Sequence, residues 1–589
     1  MRQRRVVTAL AVPLVFAFVA ASCGSDDDSS SDGTTASDGA EETTADTSAS
    51  EDTGDTTPAV AEGDTDTSVV ENTEEIAYGG TVTLGLEAEA TGLRPWEDTS
   101  SSSYYNIMRT IYDPLMEQTV DGDYEGYLAE SIEPNEDFTV WTMTLRPDVT
   151  FHNDTPLTAQ TIADMFPIQQ TGAFSSGVVT SSGLVAVDAI DELTVQYTLS
   201  EPNSPFPSNL AGAALGMPFD PAAAAADPVG YSTSPIGTGP FVIESRDIDN
   251  ETVVVRNENY WRTDADGNQL PYLDEVSFRP IPDEGTRLDA LVSGTTTAMQ
   301  TLRQGTIRNA RAESGIELYE YQGNNVGGGY FNTAKAPFDD TRVRVGLNHL
   351  NDQERVIEAL GGTGISLAGT QWFSPDSPWW TQEAADSYPT FDFEVGKALL
   401  QEYVDDPARS DGKAPGDKID VTLSCPPDPT LIAAMQVIEQ VWTGSELVNV
   451  ELTQFDQATH INNALTDIHD AHCWRMSGEG DPGPLVTPAV ADPEVSPLNF
   501  PNYTNPELFQ LAVEAGLTDD VETRKDLFSK IMQGWNEEGV YWYSGHTATL
   551  VATEDNVKGL NSWTLPSGSL GLGTPDAQGR WGDAFIVQN

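Results

Sequence analysis

The sequence is poor in basic residues, in cysteines and in long apolar stretches. It has 28 Lys and Arg against 93 Asp and Glu in 589 residues, a formal net charge of -65. A chain this acidic repels nucleic acid, whose binding needs a basic surface. Three cysteines exclude a disulfide-dense miniprotein. After the first 25 positions no apolar run reaches the length of about 18 residues that a transmembrane helix needs. The length suffices for roughly two to four folding units.

The first 22 residues have the zones of an export signal. Arg2, Arg4 and Arg5 precede an apolar run over residues 6–21, and small residues then lead to Cys23. Residues 20–23, Ala-Ala-Ser-Cys, resemble a bacterial lipobox. We therefore predict that residues 1–22 are a lipoprotein signal peptide and that Cys23 is lipidated. The alternative is an ordinary secretory signal in which Cys23 has no special role.

An acidic segment separates this signal from the rest of the chain. Residues 24–76 contain 17 Asp and Glu and no Lys or Arg, and they include almost no large apolar side chains. Such a composition cannot bury a core and repels itself. We expect residues 23–77 to be a disordered tether that holds a globular body away from the membrane. Alternatively, its acidity serves solubility alone.

Short sequence blocks follow one another through the body of the chain. The blocks lie at residues 112–115 (Tyr-Asp-Pro-Leu), 128–131, 141–154, 237–241, 257–261, 271–274, 290–294, 331–333 and 337–340. Their order and spacing resemble those of the family 5 extracellular solute-binding proteins, the peptide, nickel and oligosaccharide receptors of bacterial ABC importers. Together the blocks cover nearly everything after residue 78.

The resemblance implies an α/β architecture, the type II periplasmic-binding-protein fold with a third lobe and mixed doubly wound sheets joined by a hinge. Lobe I is expected at residues 78–102, 232–322 and 536–589, lobe II at 103–231 and lobe III at 323–535. Gly323 and the three glycines at 327–329 lie at one crossing between lobes. They either absorb hinge rotation or belong to a tightly packed strand.

Within lobe III the sequence predicts alternating strands and helices. Strands are expected at residues 418–424, 448–452 and 470–476, with helices over 429–443 and around 460–465. In a doubly wound sheet the first and third strands would be neighbours, with ligands bound outside their carboxyl ends. Cys425 and Cys473 fall on those two strands. Because the compartment is oxidising and the count is even, we favour a disulfide over two buried thiols.

Metal and enzyme sites have weak support in the sequence. Residues 469–473, His-Asp-Ala-His-Cys, form the only local cluster of metal-ligand types, but strand alternation turns His472 away from His469 and Cys473. We therefore predict no metal and no cofactor. Neither a Gly-x-Ser-x-Gly elbow nor a His-Glu-x-x-His helix occurs, so we predict that the protein is not an enzyme.

The resemblance also directs attention to the loop after the third strand of lobe III. Peptide-binding relatives carry there an Asp that pairs with the amino terminus of the ligand. Ser477 occupies the simplest equivalent position, so Glu479 or Asp481 is the candidate carboxylate, unless both merely lie on a solvated loop. For the apolar lining we select Tyr105, Trp372 and Trp474, since aromatic rings bury peptide side chains or stack on sugars.

Two functional hypotheses follow. The first is a monomeric, lipid-anchored receptor on the outer face of the bacterial cytoplasmic membrane, which closes on an oligopeptide or similar polar solute and delivers it to an ABC permease. An oligosaccharide is the alternative ligand. The second is an adhesion or sensing protein that uses the same fold without a permease partner. The solute itself is not identified by the sequence.

Overall fold

The computed structural model describes residues 76–98, 101–427, 429–455, 457–477, 480–494, 496 and 498–587. The predicted signal peptide, Cys23, the tether up to residue 75 and Glu479 lie outside these described residues. Among the helices of the described ranges, none is long and apolar enough to cross a membrane.

Eighteen strands and seventeen α-helices make up the described body. The strands are β1 (Thr81–Leu86), β2 (Met116–Gln118), β3 (Tyr124–Gly126), β4 (Ala129–Pro134), β5 (Val140–Leu145), β6 (Leu184–Ala189), β7 (Thr194–Leu199), β8 (Phe241–Asp247), β9 (Glu251–Arg256), β10 (Glu275–Pro280), β11 (Ala298–Thr301), β12 (Ile316–Phe331), β13 (Ile419–Cys425), β14 (Val448–Gln454), β15 (Ala471–Ser477), β16 (Tyr541–Glu554), β17 (Val557–Lys558) and β18 (Phe585–Ile586). The helices are α1 (Ser102–Ile111), α2 (Ala159–Gln169), α3 (Ser175–Ser181), α4 (Phe206–Asn209), α5 (Ala213–Gly216), α6 (Pro221–Ala226), α7 (Glu284–Val292), α8 (Gln304–Ala310), α9 (Thr341–His349), α10 (Gln353–Ala359), α11 (Gln382–Asp386), α12 (Phe393–Asp405), α13 (Pro429–Gly444), α14 (Gln457–Leu465), α15 (Gly483–Val490), α16 (Pro506–Ala515) and α17 (Val521–Glu537).

One continuous mixed sheet of ten strands runs through lobes I and III. Its order is β14-β13-β15-β12-β16-β11-β1-β10-β9-β8. Strand β1 is parallel to β10 and β11, and β13 is parallel to β14 and β15. The first and third strands of the predicted lobe III unit, β13 and β15, are therefore neighbours, which confirms that expectation. The mixed α/β architecture is that of the type II fold.

Lobe II is built on a separate antiparallel sheet with the order β4-β5-β7-β6. Helix α2 packs against β6 and β7. It begins after Thr158, whose hydroxyl accepts a hydrogen bond from the backbone N–H of Thr161, and the Thr161 side chain bonds back to the backbone of Thr158. This reciprocal cap satisfies N–H groups that a helix start leaves without partners.

The buried cores show which parts of the chain belong together. One apolar cluster joins lobe I residues such as Val276 and Phe278 to lobe II residues such as Trp141 and Met143. Two further clusters are drawn from residues 326–543 and form the interior of lobe III. Lobes I and II therefore share a core, and most of lobe III has its own, while Ile365 of lobe III packs with Leu288 and Met299 of lobe I in a smaller cluster.

The connection between these two bodies is made by β12 and β16. Their antiparallel pairing shifts register between Gln322 and Val326 and again between Gly327 and Gly328. The first residues of β16 pack in the lobe III clusters, so the chain crosses within that strand and not at residue 536. We keep the predicted lobe ranges as a working division.

The glycines at this crossing are required by close packing. A Cβ atom on Gly328 would collide with the carbonyl oxygen of Trp542, and one on Gly329 would collide with that of His472. Because the neighbouring backbones leave no room for a side chain at Gly328 or Gly329, the structure supports the interpretation that these glycines belong to a tightly packed strand. The two register shifts at the same place interrupt the regular pairing of β12 with β16 in an otherwise continuous sheet.

Cys425 and Cys473 form a disulfide in the structure, with their Cα atoms 5.0 Å apart. The bond links the last residue of β13 to β15 and closes a loop of 48 residues. It therefore ties the carboxyl end of β13 to the third residue of the neighbouring strand β15.

Candidate functional site

The parallel strands of the large sheet indicate where a solute would bind in each half of that sheet. In sheets of this kind ligands bind outside the carboxyl ends of the strands. The parallel strands of lobe III end at Cys425 and Ser477, and those of lobe I end at Leu86 and Pro280. The loops that follow these four residues are therefore the first candidates for contact with a bound solute.

Trp474 lies in β15 directly opposite Gly328 of β12. Its side chain is half-buried, with ring centroids 4.9 Å from Phe500 and 6.1 Å from Tyr330. Gly328 has no side chain to cover the indole, and Phe500 and Tyr330 hold it in place. Of the three selected aromatic residues, Trp474 best combines a fixed ring with a partly accessible surface.

Trp372 occupies a different environment from the one expected. It is only 6% exposed, and its ring packs 4.9 Å from Trp535 and 5.4 Å from Tyr541. These neighbours make it a member of the lobe III core, with little surface left for a ligand. Trp372 was selected as a liner because aromatic rings bury ligand side chains, but tertiary packing places its ring inside lobe III.

Tyr105 lies on α1 and is half-buried. Its ring meets Tyr104 edge-on at 5.4 Å, and the guanidinium of Arg109, one helical turn further on, lies 5.9 Å above its centroid. Arg109 in turn forms an ion pair with Glu117 at 3.0 Å. Tyr105 is thus oriented by a fixed cation, which leaves its face less available than that of Trp474.

Asp481 is buried and paired, unlike the solvated or ligand-facing carboxylate that the sequence suggested. Its side chain is 1% exposed and both oxygens are bound by Arg524, with Oδ1 at 2.6 Å from Nη2. Oδ1 also accepts from the backbone N–H of Gly483 at 2.8 Å. A ligand amine would have to displace Arg524, so in this geometry Asp481 positions the loop.

Arg524 is a residue that the sequence analysis did not single out. It lies in α17, where its guanidinium packs over the rings of Trp379 at 5.3 Å and Phe528 at 5.6 Å, and its Nε donates to the carbonyl of Ala515 at 3.0 Å. A charge enclosed in this way needs a carboxylate partner. The pairing with Asp481 spans 43 residues, and no local pattern signals it.

Glu87 is a second candidate that sequence reasoning missed. It follows β1 directly at the carboxyl end and is half-buried. Burial raises the pKa of Glu87, and the nearby cations Arg287 and Arg303 oppose that rise. The signal that could have found it is a carboxylate placed immediately after a parallel strand. Glu87 belongs to lobe I and Ser477 to lobe III, so the two residues mark the opposing strand ends.

A cavity of about 600 Å³ opens at the border of lobes II and III. Residues 120, 121 and 123 line it from the β2–β3 connection, and residues 376–378, 519–522 and 525 line it from lobe III. The ionisable side chains that line it are Asp121, Asp123, Asp376, Asp519, Asp520, Glu522 and Lys525. Six carboxylates against one ammonium make this border unfavourable for an anionic molecule.

The histidines near the disulfide pack against one another and against backbone carbonyls. His460 and His472 stack with ring centroids 3.6 Å apart, and His469 lies 5.2 Å from His472. Five of their six ring nitrogens contact backbone carbonyls or the hydroxyl of Ser424, and Nδ1 of His460 has no hydrogen-bond partner among the described residues. In the part of the chain that the structure describes, no group of three His, Cys, Asp or Glu side chains has the arrangement needed to hold a metal ion.

Comparison with known proteins identifies the family. The model of the bacterial extracellular solute-binding proteins, family 5 Middle, matches residues 123–489, more than half of the chain. The chain belongs to this family. Its members include solute-binding proteins of ABC importers, and the relatives it matches are binding proteins, not enzymes.

Individual relatives are similar over most of their length. The heme-binding protein A of Haemophilus influenzae is 27% identical over 74% of this chain and 81% of its own. The dipeptide-binding protein of Escherichia coli is 24% identical over 81% of this chain and 91% of its own. The nickel-binding periplasmic protein of the same species is 30% identical over 54% of this chain and 60% of its own.

Solved structures show the same fold. The structure of HbpA2 from Haemophilus parasuis superposes with a TM-score of 0.72 at 21% identity, covering 86% of this chain and all of the other. DppA from Helicobacter pylori in complex with the peptide STSA superposes with a TM-score of 0.66 at 20% identity, covering 87% of this chain and 99% of the other. These similarities show that the chain has the fold of these binding proteins.

Proposed function

We propose that this solute-binding protein is a monomeric, lipid-anchored receptor that captures short peptides between lobe III and the body formed by lobes I and II. It then delivers them to the permease of an ABC importer on the outer face of the cytoplasmic membrane. Cys23 is the proposed lipid attachment site, and residues 23–77 are the tether. Closure would follow from a higher affinity of the ligand for the closed arrangement than for the open one.

The observation that carries this proposal is the separation of cores. Most of the lobe III interior is separate from the core shared by lobes I and II, and the chain passes between the two bodies through the β12–β16 pair, whose register shifts at its centre. Such a joint permits rotation of one body against the other. A rigid adhesive surface does not require a hydrophobic core that is divided between two bodies. The divided core therefore favours a closing receptor over the adhesion or sensing alternative.

A peptide is favoured as the ligand by two features. Several relatives with extensive overlap are named for dipeptides or tripeptides, among them the binding proteins of Escherichia coli and Pseudomonas aeruginosa. Trp474 in the middle of β15 and Glu87 directly after β1 also supply an aromatic ring and a carboxylate, which suit an apolar side chain and an amino terminus. Glu479 is the second proposed carboxylate, and Tyr105 remains a proposed liner.

The test is a thermal-shift titration of the full chain with trialanine, a basic tripeptide, a xylo-oligosaccharide and nickel chloride. We expect a concentration-dependent rise in Tm with at least one tripeptide, because a ligand that binds only the folded state stabilises it. Trp474→Ala and Glu479→Ala should reduce that shift, whereas Glu494→Ala, at an exposed position, should leave it unchanged. A response to the oligosaccharide alone would refute the peptide assignment.

A further inference from the structure

Lobe II and lobe III touch through polar contacts at a separate place from the strand pair that joins the two bodies. Ser204, in the lobe II segment just before α4, donates its backbone N–H to the carbonyl of Gly516 at 3.1 Å and its hydroxyl to that of Ala515 at 3.3 Å. Both acceptors are at the carboxyl end of α16 in lobe III. Carbonyls at a helix end have no partner within the helix, so they are available to a neighbouring lobe.

A second contact joins the same lobes nearby. Tyr124 of β3 packs against the core shared by lobes I and II, and its hydroxyl lies against the backbone at Gly480 and Asp481 in lobe III, 3.4 Å from where a Cβ on Gly480 would stand. Asp481 lies four residues after the end of β15, in the loop that leaves the candidate ligand site. The Tyr124 contact therefore connects the core of the first body to the loop that follows Trp474 and Ser477.

Arg524 connects these two contacts within lobe III. Its Nη atoms hold the carboxylate of Asp481, and its Nε donates to the Ala515 carbonyl that also accepts from Ser204. The guanidinium side chain is 5% exposed. A charge buried between a carboxylate and a backbone carbonyl has one favourable position. Arg524 therefore fixes the loop that contains Asp481 relative to the carboxyl end of α16.

The acidic cavity beside these contacts, at the border of lobes II and III, opposes the approach of the two lobes. Burial and the carboxylates of neighbouring acids, among them Asp520 and Glu522 of lobe III, raise the pKa of Asp123 in lobe II. Like charges that approach one another across the border destabilise the arrangement in which the lobes meet. Attractive contacts elsewhere on this border are needed to hold the lobes together.

We propose that Ser204 and Tyr124 form a closure latch, with Arg524 and Asp481 as its positioning residues in lobe III. This inference rests on the proposed function, because it assumes that lobe III moves relative to lobes I and II. The latch holds the closed arrangement when the loop after β15 is in place, and so it couples the geometry of the ligand loop to the lobe II contact. It acts on the closed state alone and leaves each lobe's own core unchanged.

Single-molecule energy transfer tests the latch in the full chain. Dyes are attached through non-natural residues at the exposed positions Ile190 of lobe II and Ile468 of lobe III. The test variant is Tyr124→Phe with Ser204→Ala. The matched control is Tyr197→Phe with Ser208→Ala. The Tyr197 hydroxyl has no hydrogen-bond partner among the described residues, and Ser208 bonds only the Pro205 carbonyl within lobe II.

We expect the ratio of closed to open molecules to fall about tenfold or more in the test variant, since each lost neutral hydrogen bond changes such an equilibrium roughly fivefold. The control should match the wild type, and both variants should unfold at the same temperature. A closed-to-open ratio within twofold of the control overturns the latch. A wild type that never shows two populations, with or without trialanine, also overturns it.

Peptide titration on the same samples separates this inference from the proposed function. If trialanine and the basic tripeptide fail to bind the wild type while the population ratio still responds to the test variant, the latch stands and the peptide assignment fails. If a tripeptide binds and the ratio does not respond, the receptor function stands and the latch is overturned.

Discussion

Acidification should destabilise this protein through its buried histidines. His472 is fully buried, and its Nε2 faces the carbonyl of His460 at 3.2 Å while its Nδ1 contacts the hydroxyl of Ser424 at 2.8 Å. A carbonyl only accepts, so Nε2 carries the proton and Nδ1 accepts from the hydroxyl. Burial, together with the neighbouring His460 and His469, lowers the pKa of His472 to about 2.

The size of the effect follows from proton linkage. A histidine whose pKa is lowered in the folded state stabilises the protein above its unfolded pKa of about 6.5, and this contribution is lost as the pH falls towards the folded value. At pH 5 the loss is about 2 kcal/mol for His472. Burial lowers the pKa of His546 to about 3 and of His152 to about 4, so three histidines together cost about 6 kcal/mol. That is comparable to the whole stability of a domain.

Urea unfolding at pH 7 and pH 5 measures this loss. In His472→Gln the difference in unfolding free energy between the two pH values should shrink by about 2 kcal/mol relative to the wild type, whatever the variant's stability at pH 7. Asn536→Ala, at a buried position of α17 with a side chain that does not titrate, is the control for loss of a buried polar group and should keep the wild-type pH dependence. An unchanged pH dependence in His472→Gln would refute the reasoning, because the buried imidazole would then not be the group that takes up the proton.

Three further predictions address the disulfide, the buried ion pair and the anchor. Replacing both Cys425 and Cys473 by Ala should lower the unfolding free energy by roughly 2 to 4 kcal/mol in urea titrations, since the closed loop restricts the unfolded chain; equal stability would contradict this. Arg524→Ala should cost about 3 to 5 kcal/mol, because the Asp481 carboxylate stays buried without a partner, and a loss below 1 kcal/mol would show that water reaches it. Cys23→Ala should abolish incorporation of labelled fatty acid and move the full chain to the soluble fraction; continued labelling would refute that attachment site.

Much of lobe III could be predicted because its strands and helices are short and differ clearly in pattern. The structure places β13, α13, β14, α14 and β15 within a few residues of the predicted ranges. Alternation of buried and exposed positions in β13 and turn residues between elements supply that signal. Parallel pairing of β13 with β15 then follows from the rules of a doubly wound sheet.

The joint between the lobes could not be predicted in the same way. Strand β16 is buried at twelve of its fourteen positions, so it shows no alternation that would indicate its length or its two environments. Its continuity with β12 depends on contacts between residues more than 200 positions apart, such as Tyr319 with Val551. Local sequence patterns contain no record of such pairings.

The site was predicted less well than the fold for a related reason. Trp372 and Asp481 have residue types suited to a ligand pocket, yet each finds its partner elsewhere in the chain, in Trp535 and Arg524. Whether an aromatic ring or a carboxylate faces a cleft or a neighbour is decided by tertiary packing. Residue type alone does not distinguish these outcomes.

The most direct test of the account is native mass spectrometry of the full chain, purified gently so that a bound solute is retained. The account predicts a population heavier than the apoprotein by the mass of a short peptide, which dissociates on activation and yields a peptide fragment spectrum. A co-purified oligosaccharide would contradict the proposed ligand. A chain that is always free of solute, and that binds no tripeptide when one is added, would contradict the peptide-receptor function itself.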